Sequence, residues 1–167
     1  MKNIKAIVFD VDGVLTDGSI IIDSSGNEIK SFNVKDGQLI SFMQKQGYLF
    51  ASLSGRSSPA LEARLKMLKV DFFCMGCQDK YQDYLQFKET FSLNDDQIIY
   101  IGDDIIDLKV IKTAGFSVAP ADAIDLVKEN VQLITKAKGG KGVLREVIDL
   151  IIEKNNLSQA LLDQYLK

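Results

Sequence analysis

The sequence contains no histidine. That absence excludes Ser-His-Asp and Cys-His catalysis, histidine general bases and histidine metal ligands. Any chemistry must rest on carboxylates, lysine, serine or a metal held by oxygen. Cysteine is scarce: Cys74 and Cys77, in a C-x-x-C spacing, are the two in the chain. A zinc site of Cys and His would need two more such ligands, and none exists. A thioredoxin-like pair is formally open, and the plainer reading is two reduced thiols at a strand end. No apolar run approaches the ~20 residues that cross a bilayer, and Met1-Lys2-Asn3 leads straight into a strand-like segment. Positive charge is in short supply, with 20 Lys and Arg against 23 Asp and Glu and a net charge of -3. Nucleic-acid binding is therefore disfavoured, and a phosphorylated small molecule would need a local group of Lys and Arg. These absences predict a cytoplasmic protein with no membrane or nucleic-acid partner.

What is present suits one domain over 1–167, with 46% apolar and 26% charged residues in 167. Lys5 to Asp10 reads as a buried strand ending in acid. Gly18 to Val34 carries a hairpin signal, with Ile20-Ile21-Ile22 and Ile29 to Val34 flanking Asp23-Ser24-Ser25-Gly26-Asn27. A helix is expected from Asp36 through Met43, a strand over 48–53, and a helix opened by Ser58-Pro59. Strands follow over 70–73, 98–101 and 116–119, and helices over 80–91, 108–112 and 122–128. Val143, Leu144, Val147, Ile148 and Ile151 define a strong amphipathic helix, with a short helical tail from about 155 to 167. Alternating strands and helices predict a three-layer α/β fold, a Rossmann-like parallel sheet whose ligands bind at strand carboxyl ends.

The acidic motifs fall at those ends. Asp10-Val11-Asp12-Gly13-Val14-Leu15-Thr16 places two carboxylates after the first strand. In extended chain they point the same way, and two like charges so close need a cation between them. An Asx-rich turn would also explain the pattern. Gly102-Asp103-Asp104-Ile105-Ile106-Asp107 repeats it after a later strand, with an N-capped helix as the competing explanation. Together up to five carboxylates meet at one sheet edge, which calls for a hard cation, Mg²⁺. Ser54-Gly55-Arg56 and Lys80 follow the intervening strands. In isolation, Ser54 reads as a turn residue and Lys80 as a solvated helix start.

Acid pair, hydroxyl, lysine and acid cluster on successive strands resemble the four motifs of the haloacid dehalogenase superfamily. The receiver-domain order fails, because Lys80 precedes the second acidic cluster. More narrowly, D-V-D-G-V-L-T-D-G (10–18), F-N-V-K-D-G (32–37), Ser54-Gly55-Arg56, Arg64, G-D-D-I-I-D (102–107), P-A-D-A (120–123), G-G-K-G (139–142) and Arg145-Glu146 resemble the 3-deoxy-D-manno-octulosonate 8-phosphate phosphatases over nearly the whole chain. The resemblance implies an Mg²⁺-dependent enzyme with Asp10 as nucleophile and Asp12 as acid and base. It implies Mg²⁺ on Asp10, the Asp12 carbonyl and Asp103. Ser54 and Lys80 would bind the phosphoryl group, and Asp104 and Asp107 would orient Lys80 or water. Asn33, Val34, Lys35, Asp36, Gly37, Arg56 and Arg64 would line the sugar-acid pocket. It further implies a capless domain with a hairpin flap over 18–34, a homotetramer whose neighbouring subunit covers the site, and a place in lipopolysaccharide synthesis. Ser41 stands where many members carry Arg, and Leu108-Lys109 replaces an aromatic-proline pair. Related phosphatases act on nine-carbon acid 9-phosphates, and some carry an acid where Arg56 stands, so Arg56 favours the eight-carbon acid. A non-catalytic oligomerisation module is the other alternative, opposed by the presence of Asp10, Asp12, Lys80 and Asp103.

Overall fold

The computed structural model describes residues 3–166. In chain order the strands are β1 (Ala6–Phe9), β2 (Ile21–Ile22), β3 (Glu28–Ile29), β4 (Leu49–Ser54), β5 (Phe72–Met75), β6 (Ile98–Ile101), β7 (Phe116–Ala119) and β8 (Leu133–Ile134). The helices are α1 (Val34–Gln38), α2 (Ile40–Lys45), α3 (Pro59–Leu68), α4 (Lys80–Phe91), α5 (Leu108–Ile111), α6 (Asp125–Lys128), α7 (Val143–Lys154) and α8 (Ser158–Tyr165). Six strands form one sheet in the order β5-β4-β1-β6-β7-β8, every pairing parallel. β2 and β3 form a separate antiparallel hairpin.

Alternation along β1 builds both layers of the core. Ile7 and Phe9 face the apolar sides of α2, α3 and α7. Ala6 and Val8 face the opposite layer, with Tyr84 and Phe87 of α4, Val110 and Ile111 of α5 and Val127 of α6. A strand buried on both faces is a near-continuous apolar run. β1 accordingly runs apolar until Asp10, and β6 until Gly102. Because β1 sits between β4 and β6, the loops that follow these three strands open beside one another.

Local chemistry explains where elements start and stop. Ser58 caps α3 through a bond from the Leu61 N–H, with Pro59 in the first turn. Asp79 caps α4 through the Tyr81 N–H, so α4 begins at Lys80. The hairpin turn closes on Asp23, whose carboxylate accepts the N–H groups of Ser25 and Asn27 at 2.8 and 2.9 Å.

Three expectations shift, and one strand was not expected. The helix expected through 36–43 breaks at Leu39 into α1 and α2. The strand expected at 70–73 lies at Phe72–Met75, because Lys69 ends α3 in the left-handed region (φ 54°) and Asp71 turns back to accept the Phe50 N–H. The helix expected from Asp122 starts at Asp125, since the Asp122 carboxylate is engaged by the Gly139 N–H. β8, only two residues long, carries too little pattern to be read in advance.

Candidate active site

Asp10 follows β1 and is 4% exposed. Its Oδ1 accepts the Val11 N–H at 2.7 Å, and its Oδ2 lies 2.7 Å from Lys80 Nζ. Lys80, also 4% exposed, reaches across from the start of α4 to Asp107 Oδ1 at 2.8 Å. Asp107 is completely buried. Its Oδ1 also accepts the Tyr100 hydroxyl at 2.6 Å, and its Oδ2 accepts the backbone N–H groups of Asp103 and Asp104 at 3.0 and 3.2 Å. With both oxygens occupied, Asp107 works as an anchor that holds Lys80 and the 103–104 backbone in place.

Asp103 completes the group. Oxygens of Asp10, Asp103 and Asp107 lie within 4.8 Å of one another. Gly13 makes this approach possible: it sits at φ +88°, and a Cβ there would stand 1.9 Å from Asp103 Oδ2. Gly139 plays a similar part from the far side, where a Cβ would meet the Gly13 carbonyl oxygen at 2.2 Å. Burial, and then the neighbouring carboxylates, push Asp10 up to about 7 and Asp103 up to about 8.

Three carboxylates thus cluster where one ammonium answers two of them, and Asp103 Oδ1 is buried with no hydrogen-bond partner. A hard divalent cation with oxygen ligands fits that deficit, and the donors available, all oxygen, suit Mg²⁺. Asp103, through its unpartnered Oδ1, and Asp10 beside it are the side chains placed to hold it.

Asp12 stands on the outer side of the same loop. Its Oδ1 accepts Lys30 Nζ at 2.5 Å and the Thr16 hydroxyl at 3.3 Å. Lys30 also lies 2.7 Å from Glu28 Oε1, and Glu28 Oε2 accepts Arg56 Nη2 at 2.6 Å. Arg56 Nε is 4.0 Å from Asp12 Oδ2. A chain of alternating charges therefore runs from Asp12 over the hairpin to Arg56 at the mouth. Ser54 ends β4, buried, with its hydroxyl accepting the Arg56 N–H at 3.2 Å.

The structure thus gathers Asp10, Asp12, Ser54, Lys80, Asp103, Asp107 and Arg56 at one sheet edge. Other expected residues sit elsewhere. Asp104 is exposed, and its side chain accepts the Ile105 N–H to cap a helical turn; it does not reach Lys80. Asp36 is 1% exposed and accepts the Arg145 N–H at 3.1 Å, capping the first turn of α7. Arg64 donates to the Asn33 carbonyl and lies over the Phe32 ring, bracing the loop rather than meeting the acids. Asn33 caps α1, Val34 and Lys35 face solvent, and Gly37 packs against Arg64 and Leu68. Lys30, Glu28 and Tyr100 were not anticipated. The alternation Glu28-Ile29-Lys30 held the signal for two of them, since residues two apart on a strand share a face.

Residues 78–147 match the family of haloacid dehalogenase-like hydrolases. The 3-deoxy-D-manno-octulosonate 8-phosphate phosphatase of Yersinia pestis is 39% identical over 150 residues, spanning 90% of this chain and 80% of that protein. The chain belongs to this phosphatase family. The Moraxella catarrhalis 3-deoxy-D-manno-octulosonate 8-phosphate phosphatase, solved with magnesium, phosphate and KDO, superposes with a TM-score of 0.94 at 34% identity, over 98% of this chain and 94% of that one. A cobalt-bound Haemophilus influenzae phosphatase of the same name gives a TM-score of 0.87 at 39% identity, over 91% and 89%. Membership of the family makes the chain a phosphoric monoester hydrolase. It also accounts for Asp10, Lys80 and the 102–107 acids in that order. Among the described residues no helix is long and apolar enough to cross a membrane.

Proposed function

We propose that the chain hydrolyses 3-deoxy-D-manno-octulosonate 8-phosphate to the sugar acid and phosphate, with Asp10 as nucleophile. The observation that carries this reading is Lys80 Nζ standing 2.7 and 2.8 Å from Asp10 and Asp107, beside the unpartnered Asp103 Oδ1. It is supported by the substrate named for relatives at 34–39% identity.

In the first step an Asp10 carboxylate oxygen bonds to phosphorus, the bond from phosphorus to the sugar oxygen breaks, and Asp12 gives that oxygen a proton. In the second, Asp12 takes a proton from a water that attacks the aspartyl-phosphate, and phosphate leaves with Asp10 restored. Lys80 and Ser54 hold the phosphoryl oxygens, and Asp107 and Tyr100 keep Lys80 aimed. Asp10, Asp103 and the Asp12 carbonyl would hold Mg²⁺, which would supply charge neutralisation for the transferred group. Arg56, its guanidinium half exposed at the mouth, is placed to meet the substrate carboxylate.

The same reading treats residues 1–167 as one catalytic domain with no separate cap. Ile20, Ile21, Ile22 and Ile29 of the hairpin are each about half exposed or more, which supports burial of this flap in a homotetramer whose neighbour covers the site. The reading also places the enzyme in the cytoplasm, in lipopolysaccharide synthesis.

Phosphate release from a panel of sugar-acid phosphates with Mg²⁺ tests it. The highest kcat/KM is expected for the octulosonate 8-phosphate, with turnover abolished by Asp10→Asn. Equal or better turnover of a nine-carbon acid 9-phosphate would reassign the substrate, and phosphate release unaffected by Asp10→Asn would overturn the mechanism.

A further inference from the structure

The two cysteines have a third partner that sequence spacing does not reveal. Asp83, one turn into α4, brings a carboxylate oxygen to within 4.8 Å of both Cys74 and Cys77 Sγ atoms, which are themselves within 4.8 Å of each other. Both thiols are free and all three residues are partly buried. Among the described residues Asp83 makes no salt bridge, so no Lys or Arg answers its charge there. Two sulfurs and one oxygen converging on a point are the donor set of a thiophilic divalent cation. A tetrahedral zinc ion with metal–sulfur bonds of about 2.3 Å sets its sulfurs roughly 3.8 Å apart, so small side-chain rotations would close the site.

We infer that Cys74, Cys77 and Asp83 form a binding site for zinc or a similar thiophilic divalent cation, distinct from the all-oxygen Mg²⁺ cluster. The fourth position is left for water, as in three-ligand zinc sites. Binding expels both S–H protons to solvent as the two metal–sulfur bonds form. Burial is the chief cause that pushes both thiols up, and the Asp83 carboxylate adds to it, so both stay protonated until an ion arrives. The location gives the site reach into catalysis. The Cys77 N–H donates to the Ser54 carbonyl at 3.0 Å, and Lys80 follows three residues later. An ion here would tie the end of β5 to α4, across the segment joining Ser54 to Lys80.

The test is a cobalt titration of the reduced, full-length protein with excess Mg²⁺ present to occupy the oxygen cluster. One Co²⁺ per chain should give a near-ultraviolet thiolate-to-metal charge-transfer band, which an oxygen site cannot produce, and Zn²⁺ should erase it by displacement. Cys74→Ser and Cys77→Ser should each abolish the band. Asp83→Asn, nearly isosteric and partly exposed, should weaken Co²⁺ binding about tenfold or more. Circular dichroism verifies that each variant is folded. No band, a band that survives Cys77→Ser, or unchanged affinity in Asp83→Asn would overturn the three-ligand site. So would a protein that takes up no metal and only forms a Cys74–Cys77 disulfide on mild oxidation.

Discussion

Three residues acquire their meaning from what touches them. Lys30 was invisible as a functional residue, yet its side chain is 2% exposed and grips Asp12 at 2.5 Å. It acts as a positioning residue for the proposed acid and base. Lys30→Met should lower kcat about ten- to hundredfold with a smaller change in KM, since misplacement by about 1 Å costs this much; steady-state kinetics check it. Asp10 and Asp103 give a second expectation. In the metal-free fold both are pushed up, to about 7 and about 8, from an ordinary 3.8. The folded chain then binds more protons than the unfolded one between those values, so stability falls as pH rises through that window. Chelator-treated protein should melt at a lower temperature at about pH 8 than at about pH 6. Mg²⁺ should remove most of the difference, because it binds the ionised carboxylates. A melting temperature that rises between the two pH values without metal would refute the assignment.

At the level of elements, α7 is closed by a residue from elsewhere. Gly142 at its start has no capping side chain of its own, and Asp36 of α1 supplies the carboxylate. Asp36→Ala should therefore cost about 1–2 kcal/mol, as the loss of a helix cap does. It should leave KM nearly unchanged, which denaturant melts and kinetics together decide; a large KM effect with intact stability would restore Asp36 to the substrate pocket. The loop after β1 shows the reverse dependence, a side chain missing by necessity. Gly13→Ala places a methyl 1.9 Å from Asp103 Oδ2 at φ +88°. Its expected outcome is a loss of Mg²⁺ affinity of tenfold or more (roughly what disturbed ligand orientation costs), read by calorimetry.

For the whole molecule, the unusual surface is the hairpin. Ile22 is 64% exposed and Ile29 50% exposed on a two-residue-per-strand ribbon, an arrangement that is marginal by itself in water. If this ribbon is buried between subunits, Ile22→Asp with Ile29→Asp should shift the protein in sedimentation velocity from an assembly toward monomer. Phosphatase activity should fall with it if a neighbour covers the site. A wild-type monomer would dispose of the proposed tetramer while leaving the active-site chemistry intact.

Much of this molecule could be read from the chain alone, for a definite reason. A strand buried on both faces tends to a near-continuous apolar run, so Ala6–Phe9 and Ile98–Ile101 announce themselves, and the acids that follow them lie at the sheet edge. The order of Asp10, Ser54, Lys80 and Asp103 along alternating elements then carried both fold and family. Local caps such as Ser58 and Asp79 were equally legible. Pairings between distant residues were not. Asp36 and Arg145 are 109 positions apart, and only packing of α1 on α7 joins them. Asp107 was expected beside Lys80, but that its two oxygens would be taken by Tyr100 and two backbone N–H groups depended on the turn after β6. Asp83 joins Cys74 and Cys77 because α4 packs back onto the sheet, where Phe87 meets Phe72 of β5. Periodicity records which face of an element is apolar, whereas the partner of a buried charge is chosen only when separate elements pack together.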